Sequence, residues 1–153
     1  MNLERLDQAI AIIDKRIPDA QLELKLWQKP EGLTDDWMYI FVRDAAEASC
    51  KTICCAAGWL CIQPEMKAQG LSLSAFGSPQ YNYGKREYRL FLALEKFFDI
   101  SEDEADFLFG MRVHRERIGI FENMTDKEVW LHRAREMKMK YEDKKVGPRI
   151  CVE

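Results

Sequence analysis

The chain has 153 residues, 47% of them apolar and 32% charged, a length typical of one domain and sufficient to bury a real core. That balance excludes both a disordered chain and a miniprotein that depends on disulfides for its stability. A formal charge of −3 disfavours nucleic acid or another general phosphate surface as the partner and slightly favours a basic one.

Leu3, Leu6, Ile10, Ile13 and Ile17 recur at steps of three and four, the apolar stripe of an amphipathic helix. Asn2 is placed to cap its start, and Pro18 to end it, because the residue before a proline avoids helical backbone. Charge runs through MNLERLDQAIAIIDKR, unlike a secretory signal, and the apolar runs fall far short of the ~20 residues that a membrane span needs. The expectation is a cytoplasmic chain, that of the host if the gene is a phage's, with reduced thiols and no membrane contact.

LELKLW then alternates with period two, QKPEGLTDD reads as a loop, and WMYIFV at 37–42 has strand composition. Residues 21–43 fit either a small hairpin or the start of a buried helix. From Ala45 to Ile62 small and apolar residues without proline predict a helix, which Gln63-Pro64 ends. AQGLSLSAFGSPQYNYGK is dense in Gly, Ser, Pro and Asn and reads as a long ordered loop. REYRLFLALEKFF reads as a strongly apolar helix with Tyr88, Phe91, Leu92, Leu94, Phe97 and Phe98 in the core. Two capping boxes follow, Ser101 with Glu104 and Thr125 with Glu128, and Gly110 is placed to stop the first of these helices. The last helix carries Val129, Trp130, Ala134, Met137 and Tyr141 as its stripe, and the tail from about residue 144 reads as irregular.

CKTICCAAGWLC holds Cys50, Cys54, Cys55 and Cys61, four of the five cysteines. Structural zinc needs four ligands that surround the ion, usually two separated pairs, and these four crowd one segment. A thioredoxin-type centre needs C-x-x-C at a helix start, which is lacking here. Cysteine otherwise behaves as a small, readily buried hydrophobe. His114 and His132 stand alone in basic contexts that read as solvated helix faces. DISEDEADFLFG fails as a calcium loop, since its sixth and twelfth positions hold Glu104 and Gly110 where Gly and Glu are needed. YNYGKREYR interleaves Tyr81, Tyr83 and Tyr88 with Lys85, Arg86 and Arg89, a pattern that can stack a base and hold a phosphate or can be an ordinary charged surface.

As a unit, CKTICCAAGWLC resembles the C-G-T-x-x-C-[IL]-A-G-W-A segment of small proteins encoded by phages and bacteria. FFDISEDEADFLFG is similar to a later phrase of that group, L-G-[LI]-[ST]-x-x-E-A-x-x-L-F. Cys50, Thr52, Cys55, Ala57, Gly58 and Trp59 occupy the motif positions, with Lys51 in place of its glycine and Ala56 in place of a larger aliphatic residue. The resemblance brings no catalytic residues with it. Physically the motif reads as structural: Thr52 caps a helix, Gly58 permits close approach of a neighbour and Trp59 fills the core.

The sequence thus predicts a compact, mainly helical single domain over residues 1–153, with room for a small β-hairpin before the cysteine segment. No cofactor, metal or catalytic residue is expected. The leading functional expectation is a non-enzymatic phage or bacterial accessory protein that binds a host or defence protein. Two alternatives stay open: a nucleotide-binding protein using Tyr81, Tyr83, Lys85, Arg86 and Arg89, and a thiol-based redox protein.

Overall fold

The computed structural model of the chain describes residues 1–24, 27–29, 41–49, 52–110 and 123–146, with side chains as far as residue 144. Helix α1 (Leu3–Arg16) starts where Asn2 Oδ1 accepts the backbone N–H of Arg5 at 3.0 Å, and ends before Pro18. It buries Leu6, Ala9, Ile12 and Ile13. A single 3-10 turn (Asp19–Gln21) leads to Leu22 and then Gln28, each of which forms an isolated bridge with Cys54. Gln28 is 4% exposed, and its amide closes on the Val42 backbone, accepting from N–H and donating to C=O. A side chain here does the work of a strand partner, joining two segments that no regular ladder connects among the described residues.

The helix expected over 45–62 is shorter than its composition suggested. Ala45–Glu47 is a single 3-10 turn, and α2 covers only Ala56–Cys61. Helix α3 (Pro64–Ala68) follows at once, with proline at its first position, where no N–H is needed.

The small β element lies after the cysteine segment, not before it. Among the described residues, β1 (Leu71–Leu73), β2 (Pro79–Tyr83) and β3 (Arg86–Arg89) form an antiparallel sheet in the order β1-β2-β3. What composition suggested was a long loop therefore holds two of the three strands. Its two connections are tight: Gly77 has φ +75°, and Gly84 has φ +61° at the first position of a two-residue turn between Tyr83 and Arg86. Positive φ at the first central residue only is the type II′ pattern, which suits the twist of a hairpin. The residues 25–26 and 30–40 of the earlier candidate hairpin lie outside the described residues; Phe41 and Val42 take no regular structure.

β3 passes directly into α4 (Leu90–Phe98), so REYR is strand and only the apolar half of that segment is helix. Leu94, Phe97 and Phe98 are buried, Tyr88 and Phe91 pack partly against the core, and Leu92 faces solvent, 45% exposed. Helix α5 (Glu102–Phe109) starts with the complete Ser101–Glu104 capping box and stops at Gly110. Helix α6 (Asp126–Val146) starts with the reciprocal Thr125–Glu128 bonds and buries Val129, Trp130, Ala134 and Met137. It continues through residues 144–146, expected to be irregular; residues 147–153 lie outside the described residues.

A relay of rings ties these elements together. Tyr81 meets Phe97 edge-on at 5.2 Å, Phe97 meets Phe98 at 5.0 Å, Phe98 stacks on Phe109 at 5.6 Å, and Phe109 reaches Trp130 at 6.1 Å. Sheet, α4, α5 and α6 thus share one core, the face of an antiparallel sheet being covered by helices. Arg5 closes the near side: its guanidinium lies 4.2 Å from the Phe97 ring centroid and donates to Phe97 O at 2.6 Å and Gln69 Oε1 at 3.0 Å. No helix of the described residues is long and apolar enough to cross a membrane.

Candidate functional site

Two segments carry the residues singled out by sequence, and the structure treats them in opposite ways. In the cysteine segment, Cys54, Cys55 and Cys61 are free thiols, all at most 4% exposed. The backbone of Cys54 pairs with Gln21 and Glu23, which fixes the strand-like entry to α2. Cys55, not Thr52, caps the helix: its Sγ accepts the Gly58 N–H at 3.4 Å and donates to the Trp27 carbonyl at 3.7 Å. Thr52 lies three residues before the cap and turns backwards, its Oγ1 accepting the Ser49 N–H at 2.9 Å. The helix starts later than expected because the backbone of Ile53 and Cys54 bonds to Lys29, Gln21 and Glu23, and Cys55 is extended.

Gly58 sits where a Cβ would lie 1.6 Å from the Trp27 carbonyl oxygen, so the chain there tolerates no side chain. Trp59 is 3% exposed and spends its indole N–H on Gln21 O at 2.8 Å. Cys50, the first motif position, lies outside the described residues, as does His114.

Burial pushes the Cys55 thiol up to about 12, despite the opposing backbone N–H groups of Gly58 and Ala57. Burial also raises Cys61 well above the ordinary thiol value, with further contributions from Cys55 and Cys54. A thiol reacts as its thiolate, so these two are chemically quiet near neutral pH. Among the described residues no group of three or more His, Cys, Asp or Glu is arranged to hold a metal ion.

In the hairpin, register sorts YNYGKREYR by face. Tyr81 pairs with Tyr88 and Tyr83 with Arg86, while Gln80 pairs with Arg89 and Asn82 with Glu87. Side chains alternate along a strand, so Tyr81, Tyr83, Tyr88 and Arg86 share one face. The rings agree: Tyr81 lies 6.2 Å from both Tyr83 and Tyr88. Arg89 falls on the opposite face, where its Nε donates to Glu87 at 2.6 Å and Gln80 donates to the same carboxylate at 3.1 Å. Lys85 occupies the turn and is exposed. Of the three cations in the segment, only Arg86 shares the tyrosine face.

Lys96 of α4 is a residue that the sequence reading missed. It joins Tyr81, Tyr83 and Tyr88 around a cavity of about 260 Å³. The hairpin register needed to find it was partly visible, since Tyr81 and Tyr83 are two apart on one strand and Gly84-Lys85 follows as a turn. The approach of α4 was not, because it depends on the Tyr81–Phe97 contact. Tyr81 is 4% exposed and anchors the face, whereas Tyr83 at the tip is 68% exposed. His132 lies on the solvated side of α6, but its neighbour Arg133 is 2% exposed, donates to Phe107 O at 3.0 Å and covers the Phe107 ring at 4.6 Å. The basic run HRAREMKMK is thus not a uniform surface.

No protein-family model, curated protein or solved structure matches this chain.

Proposed function

We propose that this chain is a non-enzymatic binding protein that engages a protein partner through the tyrosine face of the β2–β3 hairpin. The observation that carries the proposal is Tyr83, 68% exposed beside Arg86 on a hairpin whose other end is pinned by buried Tyr81. A rigidly held tyrosine next to an arginine is the composition from which interface hot spots are built. Preorganisation of the hairpin lowers the entropy lost on binding. The resemblance of the cysteine segment to small phage and bacterial proteins supports a host or defence protein as that partner and an accessory role in the host cytoplasm.

Nucleotide binding, the other use of this face, has less support. The cavity of about 260 Å³ is below the ~300–1,000 Å³ usual for small-molecule sites, and Arg89 turns away from it. The quiet Cys55 and Cys61 give thiol catalysis no support either.

Affinity capture from bacterial lysate, with the native chain and a Tyr83→Ala, Arg86→Glu variant side by side, tests the reading. The expected result is a specific protein retained by the native chain and lost from the variant, both being equally folded. Equal retention by the variant would refute the assignment of the face. A thermal shift with nucleotides that the variant abolishes would favour the nucleotide reading instead.

A further inference from the structure

β1 and β3 are the two edges of the sheet, and the fold treats them differently. β1 is largely buried beside α2 and α3. β3 is exposed at Arg86, Glu87 and Arg89, and no strand lies beyond it among the described residues. After β3 the chain turns back into α4, which packs over β2 where Phe97 meets Tyr81 rather than along the outer side of β3.

Register identifies which backbone groups that edge leaves over. Tyr83 and Arg86 are the closing pair of a two-residue hairpin, so the N–H and C=O of Arg86 and Tyr88 point at β2. Those of Glu87 and Arg89 point outwards. Among the described residues the only one of these already spent is the Arg89 carbonyl, which accepts from the first turn of α4. Both backbone groups of Glu87 and the N–H of Arg89 remain, a row that another strand can complete.

Side-chain charge selects that strand. An antiparallel copy of β3 can set outward groups against outward groups with Glu87 opposite Glu87, with Arg89 opposite Arg89, or with Glu87 opposite Arg89. The first two registers oppose like charges, which destabilises a ladder. The third opposes unlike charges twice and places a twofold axis at Tyr88. Within one copy Arg89 Nε already donates to Glu87 at 2.6 Å, with the two side chains 59% and 42% exposed. The third register therefore gathers four accessible charges of alternating sign. Leu90, directly after the strand and 52% exposed, then lies against the aliphatic stem of Arg86 of the other copy.

We infer that β3 pairs with β3 of a second copy of this chain, antiparallel and centred on Tyr88. Arg89 N–H of each copy donates to Glu87 C=O of the other, and Glu87 N–H shares the opposing Arg89 carbonyl, which has a second lone pair. The two Tyr88 side chains stand opposite each other as a non-hydrogen-bonded pair, the closer kind. Residues directly opposite share a face, so the two tyrosine faces lie on the same side of one continuous sheet. The pairing uses the outer edge of β3 and does not rest on the protein-partner reading of the tyrosine face.

Sedimentation equilibrium of the full chain over a concentration series, with backbone amide exchange followed by NMR, tests it. The expected result is a reversible dimer in which the Glu87 and Arg89 amides exchange more slowly as concentration rises. The Arg86 and Tyr88 amides, bonded to β2, are expected to be protected throughout. Glu87→Arg and Arg89→Glu are each expected to weaken the dimer about tenfold or more, and the two together to restore it. Amide exchange in the native chain keeps the test open if a variant fails to fold. Tyr83→Ala is expected to dimerise as the native chain does, so failure at one surface leaves the other standing. A chain that stays monomeric at every concentration overturns the inference. So does a dimer whose Glu87 and Arg89 amides are no better protected than in the monomer, or one that the exchange of charges fails to restore. Protection of these amides only when an extended peptide of another protein is added assigns the edge to a foreign strand and overturns it equally.

Discussion

The cysteine segment and the tyrosine hairpin are the two stretches whose composition promises chemistry, and they differ in where the fold sends their polar atoms. In residues 52–63 the thiol of Cys55, the hydroxyl of Thr52 and the indole of Trp59 all bond to nearby backbone. In residues 81–89 Tyr81 is buried and Tyr88 half-buried, while Tyr83, Lys85 and Arg86 remain in solvent. Density of reactive residue types is thus a poor guide to a reactive surface: the stretch with more sulfur is the more inert.

The largest expected effect lies on the buried side. Gly58→Ala drives a methyl into the Trp27 carbonyl and is expected to cost about 3 kcal/mol or more, since backbone at that distance cannot yield as a flexible side chain would. Trp59→Ala removes a ring and its bond to Gln21, with an expected loss of about 3–5 kcal/mol. Urea unfolding measures both, and an unchanged midpoint for Gly58→Ala would break the comparison at its firmest point.

The next effect is kinetic. With Cys50 and Cys151 replaced by serine, Cys54, Cys55 and Cys61 remain, and a thiol reagent at pH 7 is expected to label them only as fast as the chain unfolds. Rapid labelling of the native protein would place this segment among reactive thiol sites and revive the redox reading.

A smaller, pH-dependent effect separates α5 and α6 from both segments. Burial works to raise the Glu104 carboxyl, but the Ser101 backbone N–H and the Tyr141 hydroxyl overcome it and hold the group below its ordinary 4.5. A carboxylate lowered in the folded state adds stability above its unfolded value and loses it as pH falls through the folded value. Tyr141 is pushed up to about 12, chiefly by its bond to Glu104, so its contribution is complete below pH 10 and fades as pH rises from there towards 12. Melting temperature measured across pH is expected to decline at both ends, with Tyr141→Phe flattening the alkaline arm and weakening the acid one. An unaltered alkaline arm in that variant would contradict the bond.

The smallest effect is expected at the hairpin tip. Tyr83→Ala is expected to change stability by no more than about 0.5 kcal/mol, because a side chain that is 68% exposed can be removed at little cost. A large loss would mean that this tyrosine is structural, and would remove it as the anchor of a binding face.

Much of the helical frame was legible in sequence. The α1 stripe with Asn2 and Pro18, the Ser101–Glu104 and Thr125–Glu128 boxes and the stripe of α6 all rest on contacts within four residues, which spacing encodes. The misreadings have a common cause. Composition marks residues 68–85 as a loop and Arg86 as the start of a helix, because Gly, Ser, Pro and Asn signal turns, whereas short segments between such turns become strands only when they pair. Residues 45–62 have helical composition throughout, yet 52–55 are not helical, because Cys54 finds backbone partners in Gln21 and Glu23. That competition is decided by a segment 30 residues away and leaves no local mark.

By itself, then, the sequence determined where α1, α5 and α6 start and which faces of α1 and α6 seek the core, since caps and stripes are properties of adjacent turns. Only the tertiary structure decided which polar atoms are spent and which are left over. It buried Cys54, Cys55 and Cys61, turned Arg89 away from the tyrosines and brought Lys96 towards them. Those outcomes depend on how distant segments meet, and burial and hydrogen bonding are settled only at that meeting.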